Sequence, residues 1–160
     1  MRKRWLVAWG LTALAGTLLH FLYDWLPNPL TALIAPVNES VWEHLKLLFW
    51  PYLGAAWCLV RGEAEPWRAW TGHLAALLAM PVGLLGVYYA LAAGFRCRGL
   101  WIDIPLYYLA LGGGFALARH LGRWDRAARW AAPLLLGACL YAVLLTLFTF
   151  AAPALPVFTP

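Results

Sequence analysis

The sequence predicts an all-α, polytopic integral membrane protein: a single transmembrane domain over residues 1–160, with five helices, the amino terminus inside and the carboxyl terminus outside. Three observations predict it. Hydrophobic residues make up 64% and charged residues 12% of the chain, where soluble domains carry roughly 25% charged residues. Five apolar segments reach about the 20 residues that a bilayer crossing needs. Lys and Arg are divided unequally between connectors on alternate sides.

The first span covers residues 5–26. Met1-Arg2-Lys3-Arg4 ahead of it imitates a secretory signal, but the apolar run continues to Trp25 with no small-residue cleavage site, so it reads as a retained span. Pro27-Asn28-Pro29 stops it. A short connector leads to Asn38, a good N-cap residue, and to a second span over 38–60 with a kink expected at Pro51. A polar turn, Arg61 to Pro66, precedes the third span, 67–94, which is long enough to tilt and contains Pro81. Arg96-Cys97-Arg98-Gly99 connects it to the fourth, 101–118, where Gly112-Gly113-Gly114 permits close backbone approach. A basic loop, 119–129, leads to the fifth span, 130–150, and the Pro-rich tail reads as extended.

Charge orients these spans. Arg2, Lys3, Arg4, Arg61, Arg68, Arg119, Arg123, Arg126 and Arg129 fall on one side, against Arg96 and Arg98 on the other, with Lys46 inside a span. The rich side is the inner one by the positive-inside rule. The net charge of +5 is then accounted for by orientation and anionic lipid, which leaves no reason to expect nucleic-acid binding. Several of the eleven tryptophans fall at expected interfacial belts. The three cysteines, Cys58, Cys97 and Cys139, have neither disulfide-framework nor metal-ligand spacing. Phosphate-loop, GxSxG and HExxH motifs are absent, which excludes the enzyme classes they mark.

Polar residues concentrate at one depth. His20 and His44 each lie six residues from an outer boundary, ~9 Å deep at the helical rise. Tyr88, Tyr89, Asp103, Tyr107 and Tyr108 reach a similar level from the third and fourth spans. At 100° per residue, His20 and Asp24 share a face with Thr17 and Gly16, while Glu39, Glu43 and Lys46 form one stripe and Ser40 and His44 a second beside it. Charged groups in a span are costly and so seldom incidental.

Three readings fit this layer. In the first it is a metal site, with His20, Asp24, Glu39, Glu43 and His44 offering the mixed N and O ligation that suits Zn, Fe or Mn. Such an ion supports hydrolysis at the outer leaflet, with Glu43, His44 and Asp24 as catalytic groups and Asn38, Ser40, Lys46, Tyr88 and Asp103 supporting the pocket. In the second it is an ion path or a pocket for a lipid or small molecule, without chemistry. In the third it locks helices together or meets a partner subunit, with Glu43 paired to Lys46 at i+3, His20 to Asp24 at i+4 and Asn38 capping a helix. His73 reads as interfacial and His120 as part of the basic rim, and the oligomeric state is left open.

Two strings carry a resemblance. His20-Phe21-Leu22-Tyr23-Asp24-Trp25 and Asn38-Glu39-Ser40-Val41-Trp42-Glu43-His44-Leu45-Lys46, with Leu47-Leu48-Phe49-Trp50-Pro51 after the second, resemble the DUF6512 integral membrane proteins of bacteria. The resemblance implies a multi-pass protein of the bacterial inner membrane and implies no activity. Thr17, His20 and Asp24 also echo the ceramidase-like zinc hydrolases, but His73 and His120 lie at the wrong ends of their spans and no HxxxH pair is present.

Overall fold

The computed structural model describes residues 2–97 and 99–159, so that Arg98, counted above among the outer cations, lies outside the described residues. The described residues are helical, with no strand among them: α1 (Arg2–His20), α2 (Leu22–Trp25), α3 (Pro29–Ile34), α4 (Val41–Val60), α5 (Pro66–Tyr89), α6 (Leu100–Leu121) and α7 (Ala131–Phe150). A π-helical turn, Ala90–Gly94, extends α5, and a 3-10 turn, Ala127–Trp130, leads into α7. Among the described residues, three helices are long and apolar enough to cross a membrane: Pro66–Gly94, Leu100–Leu121 and Ala127–Phe150. At 19 and 20 residues α1 and α4 are of spanning length too, but α1 opens on Arg2-Lys3-Arg4 and α4 carries Glu43, His44 and Lys46 in its first turns.

Local chemistry explains where the elements depart from expectation. The first helix ends at His20 rather than 26, because Phe21, at φ −92° and ψ −6°, tightens the backbone and donates to Leu18 O at 3.2 Å instead of one residue further back. His20 and Asp24 therefore stand on separate helices. The connector after Pro27 is itself ordered: Asn28 caps α3 through bonds from Leu30 N and Thr31 N, the Thr31 hydroxyl accepts from Asn28 N, and Pro29 fills the first helical position. Pro51 and Pro81 sit inside helices that continue through them. The tail carries a 3-10 turn, Pro156–Phe158, rather than being fully extended, and Phe158 packs its ring on Trp42 and Phe148.

α4 is the most enclosed helix, lying against α1, α5, α6 and α7. Leu45, Leu48, Phe49, Tyr52, Ala56 and Leu59 recur at helical spacing and are all buried, meeting Leu74, Leu77 and Met80 of α5 and Leu111 and Phe115 of α6. Its polar first turns thereby face protein rather than lipid. The outer surfaces are apolar instead: Leu6, Val82, Leu109 and Leu136 are each more than half exposed, which suits contact with lipid chains.

The basic segments gather at one end. Arg4 at the start of α1 donates to Cys58 O and Leu59 O at the end of α4 and lies 3.8 Å from Glu63. Arg68 at the start of α5 pairs with Asp125 at 3.2 Å and donates to Arg123 O, beyond the end of α6. The α5–α6 contact is the most extensive in the bundle. It is close because Gly72 has no side chain: a Cβ there would run into the carbonyl of Ala118 and the amide of Gly122. Replacing Gly72 by Ala should cost about 1–3 kcal/mol through overpacking, whereas Gly83→Ala, with nothing near its Cβ, should be neutral or up to ~1 kcal/mol stabilising. Thermal unfolding of the two variants in detergent compares them directly.

Candidate functional site

The site is built outward from the start of α4. Ser40 is extended at φ −69° and ψ 149°, and its hydroxyl accepts from Glu43 N at 3.3 Å, so Ser40 is the N-cap. The cap was expected at Asn38. Asn38 Oδ1 instead accepts from Ser40 N at 2.9 Å, an Asx turn that uses up the side chain two residues before the helix begins.

One turn on, His44 Nδ1 lies 2.8 Å from the Ser40 carbonyl. A carbonyl only accepts, so Nδ1 carries hydrogen and the Nε2 lone pair is left for another partner. Nε2 faces Glu39 Oε2 at 3.5 Å. Two acceptors set face to face need a proton or a cation between them. His20, at the last residue of α1, brings its ring to 5.1 Å from that of His44. One ligand atom from each of His20, Glu39 and His44 lies within 4.8 Å of the others. Donors ~2.0–2.2 Å from one zinc ion lie no more than ~4.4 Å apart. The gap is closed by a small movement, and the Glu39 side chain, 73% exposed, is free to make it. The backbone carbonyl on Nδ1 is the kind of outer partner that fixes ring orientation in metal-bound histidines.

Beside this group lies a cavity of ≈ 480 Å³ between α1, α4, α5 and α6. His20, Glu39, His44, Tyr88, Asp103 and Tyr107 supply polar groups to its wall, and Val41, Leu47, Leu84, Leu100, Ile104 and Leu106 make the remainder apolar. His20 Nδ1, Asp103 Oδ1 and the Tyr107 hydroxyl are buried with no hydrogen-bond partner. Each such atom costs roughly 1–3 kcal/mol unless something occupies its bonding position. The Tyr107 hydroxyl comes so close to α1 because residue 16 is glycine: a Cβ there would collide with it and with the Leu47 carbonyl.

The proposed ligand set is thus divided. His20, Glu39 and His44 come together, while Asp24 is exposed on α2 and Glu43 turns the other way. Glu43 Oε2 accepts from Lys46 Nζ at 2.6 Å and from Val37 N at 3.0 Å, and Oε1 accepts from Thr149 Oγ1 at 2.9 Å. Lys46 Nζ also donates to Ala32 O at 2.7 Å and Ala35 O at 3.2 Å, so the two charges saturate each other's bonding capacity. Thr149 escaped the sequence reading, although a hydroxyl in the last turn of an apolar helix stands at the same level as Glu43. His73, expected at the interface, is 2% exposed, stacked on Trp5 at 5.5 Å and 3.1 Å from the Tyr52 hydroxyl. Trp5 covers it from α1, an arrangement no spacing within α5 reveals.

Removing one member of the buried pair strands the other. Lys46→Met should lower stability by about 3–5 kcal/mol, and combining it with Glu43→Met should restore part of the loss. Unfolding in detergent reads both, and a single variant as stable as the wild type would refute the structural role.

No curated protein and no solved structure matches this chain. One family model does, DUF6512, a family of unknown function, and its match extends over residues 1–160. The chain belongs to the DUF6512 family.

Proposed function

We propose that the chain is a five-span membrane protein in which His20, Glu39 and His44 hold a divalent metal ion at the extracytoplasmic mouth of the cavity, and that the site hydrolyses an amphiphile of the outer leaflet. The observation that carries this reading is the facing of His44 Nε2 and Glu39 Oε2 at 3.5 Å, with His44 Nδ1 already committed to Ser40 O. Three protein ligands leave a coordination position open, and an ion so held supplies Lewis acidity and an activated water. Two imidazoles and a carboxylate suit zinc, with iron and manganese as the other candidates.

The chain's own groups divide the remaining work. With Glu43 committed to Lys46 and Thr149, the general-base role falls to Asp103, whose carboxylate borders the same cavity and has an unpartnered oxygen. The apolar wall from Leu84 to Leu106 excludes water from a bound chain. That same wall also favours a second reading, a binding or transport site for a lipid or small molecule without chemistry.

Elemental analysis of purified protein tests the metal. The wild type should carry stoichiometric zinc, iron or manganese, and His20→Ala and His44→Ala should lose it while keeping the wild-type elution profile. A wild type that stays metal-free after dialysis against each of the three ions sinks the proposal. Metal bound without hydrolysis of lipid esters or amides, in wild type and Asp103→Asn alike, would favour the second reading. The topology has a separate test: a reporter fused after Pro160 should be found on the extracytoplasmic side, in keeping with the gathered cations at the other end.

A further inference from the structure

A second, smaller cavity of ≈ 190 Å³ lies at the opposite end of the bundle, among the start of α1, the end of α4, the start of α5 and the end of α6. A single ordered water needs only ~10–15 Å³ of such space, so the cavity is sized for a small molecule or a headgroup. We infer that it binds a phosphate-bearing anion through Arg119 and Arg123, with His73 at its wall.

The charge count at the cavity favours an anion. Its ionisable lining is Glu63, His73, Arg119 and Arg123. Glu63 is matched by Arg4 at 3.8 Å. Arg119 and Arg123 make no ion pair or side-chain hydrogen bond among the described residues, although Arg68 beside them is tied to Glu65, Asp125 and Arg123 O. Arg119 near the end of α6 and Arg123 just beyond it both line the cavity. Two forked donor sets at one cavity suit the oxygens of a phosphate, which guanidinium binds in bidentate fashion.

The wall is built, not merely basic. His73 is 2% exposed and held by the Tyr52 hydroxyl at 3.1 Å on Nδ1 and by the parallel Trp5 ring, so its other ring nitrogen is the free one. Gly122, Ala69 and Ala118 line the rest of the cavity with small side chains. The carboxyl end of α6 repels an anion on its own account, so recognition rests on the guanidinium pair.

Free phosphate and a phosphorylated lipid headgroup share this chemistry, and one experiment separates them. Full-length protein in neutral detergent is titrated with inorganic phosphate, with short-chain phosphatidic acid and with short-chain phosphatidylcholine, with native mass spectrometry and thermal shift as readouts. Saturable binding of phosphate or of phosphatidic acid over phosphatidylcholine is expected, the first marking a soluble ligand and the second a headgroup. Arg119→Gln/Arg123→Gln should weaken it about tenfold or more, with Arg123→Gln alone, an exposed position, intermediate. Arg61→Gln removes a charge at the same end but outside the cavity and should leave binding unchanged. Absence of saturable binding of either anion, binding indifferent to the double variant, or an equal loss in Arg61→Gln would each overturn the proposal.

Discussion

The ammonium of Lys46 is the fixed point of the end of the bundle where His20, Glu39 and His44 meet. It has three protons to place and is fully buried, and it places them on Ala32 O, Ala35 O and Glu43. The two carbonyls belong to the end of α3, where a helix leaves such groups without internal partners. Trp50 Nε1 takes a third, Leu33 O, at 3.1 Å. The short α3 is thereby bound to α4 by side chains that answer its unpaired backbone. The chain from Ala35 to Ser40 has little freedom left, with Val37 N on Glu43 and Ser40 N on Asn38. Glu39 lies inside that constrained loop. The backbone that carries Glu39 is therefore held by the buried charge pair, while its exposed side chain reaches His44.

Much of this was legible in the sequence. Length and hydropathy point to a chain built of long apolar helices, though the first helix stops six residues short of the expected 26. Depth counting brings His20, His44, Tyr88, Asp103 and Tyr107 to one level, and they line one cavity. Spacing leaves open whether Glu43 serves a site or its neighbour Lys46, because both residues share one stripe. The choice depends on α3 carbonyls and on Thr149, which no local pattern connects to position 43. The break at Phe21 and the shift of the cap from Asn38 to Ser40 were likewise invisible: each turns on a single backbone rotation among residues that tolerate several. The partners of His73, the Trp5 ring and the Tyr52 hydroxyl, come from other helices, which depth counting along α5 does not reveal.

Enclosure of α4 reconciles its polarity with its position. A helix with Glu, His and Lys in its first two turns is a poor lipid-facing span. Wrapped by α1, α5, α6 and α7, it contacts side chains and backbone carbonyls instead. The cavities at its two ends follow from this arrangement. At one end, His44 and the Val41 and Leu47 side chains open toward α1 and α6; at the other, Leu59 and the loop at Glu63 open toward α5 and α6. Tyr52 stands between them, fully buried, with its hydroxyl on His73 and on Gly114 O at 3.3 Å.

The bond from Thr149 to Glu43 joins residues 106 positions apart. Chains emerge from the ribosome amino end first, so α4 is synthesised well before the hydroxyl that bonds Glu43 Oε1. Until α7 arrives, Glu43 Oε1 has no partner and one side of α4 lacks its cover. The end of the bundle that holds the Glu43–Lys46 pair thus draws on both ends of the sequence, and a chain cut short before residue 149 lacks the hydroxyl that completes the bonding of this carboxylate.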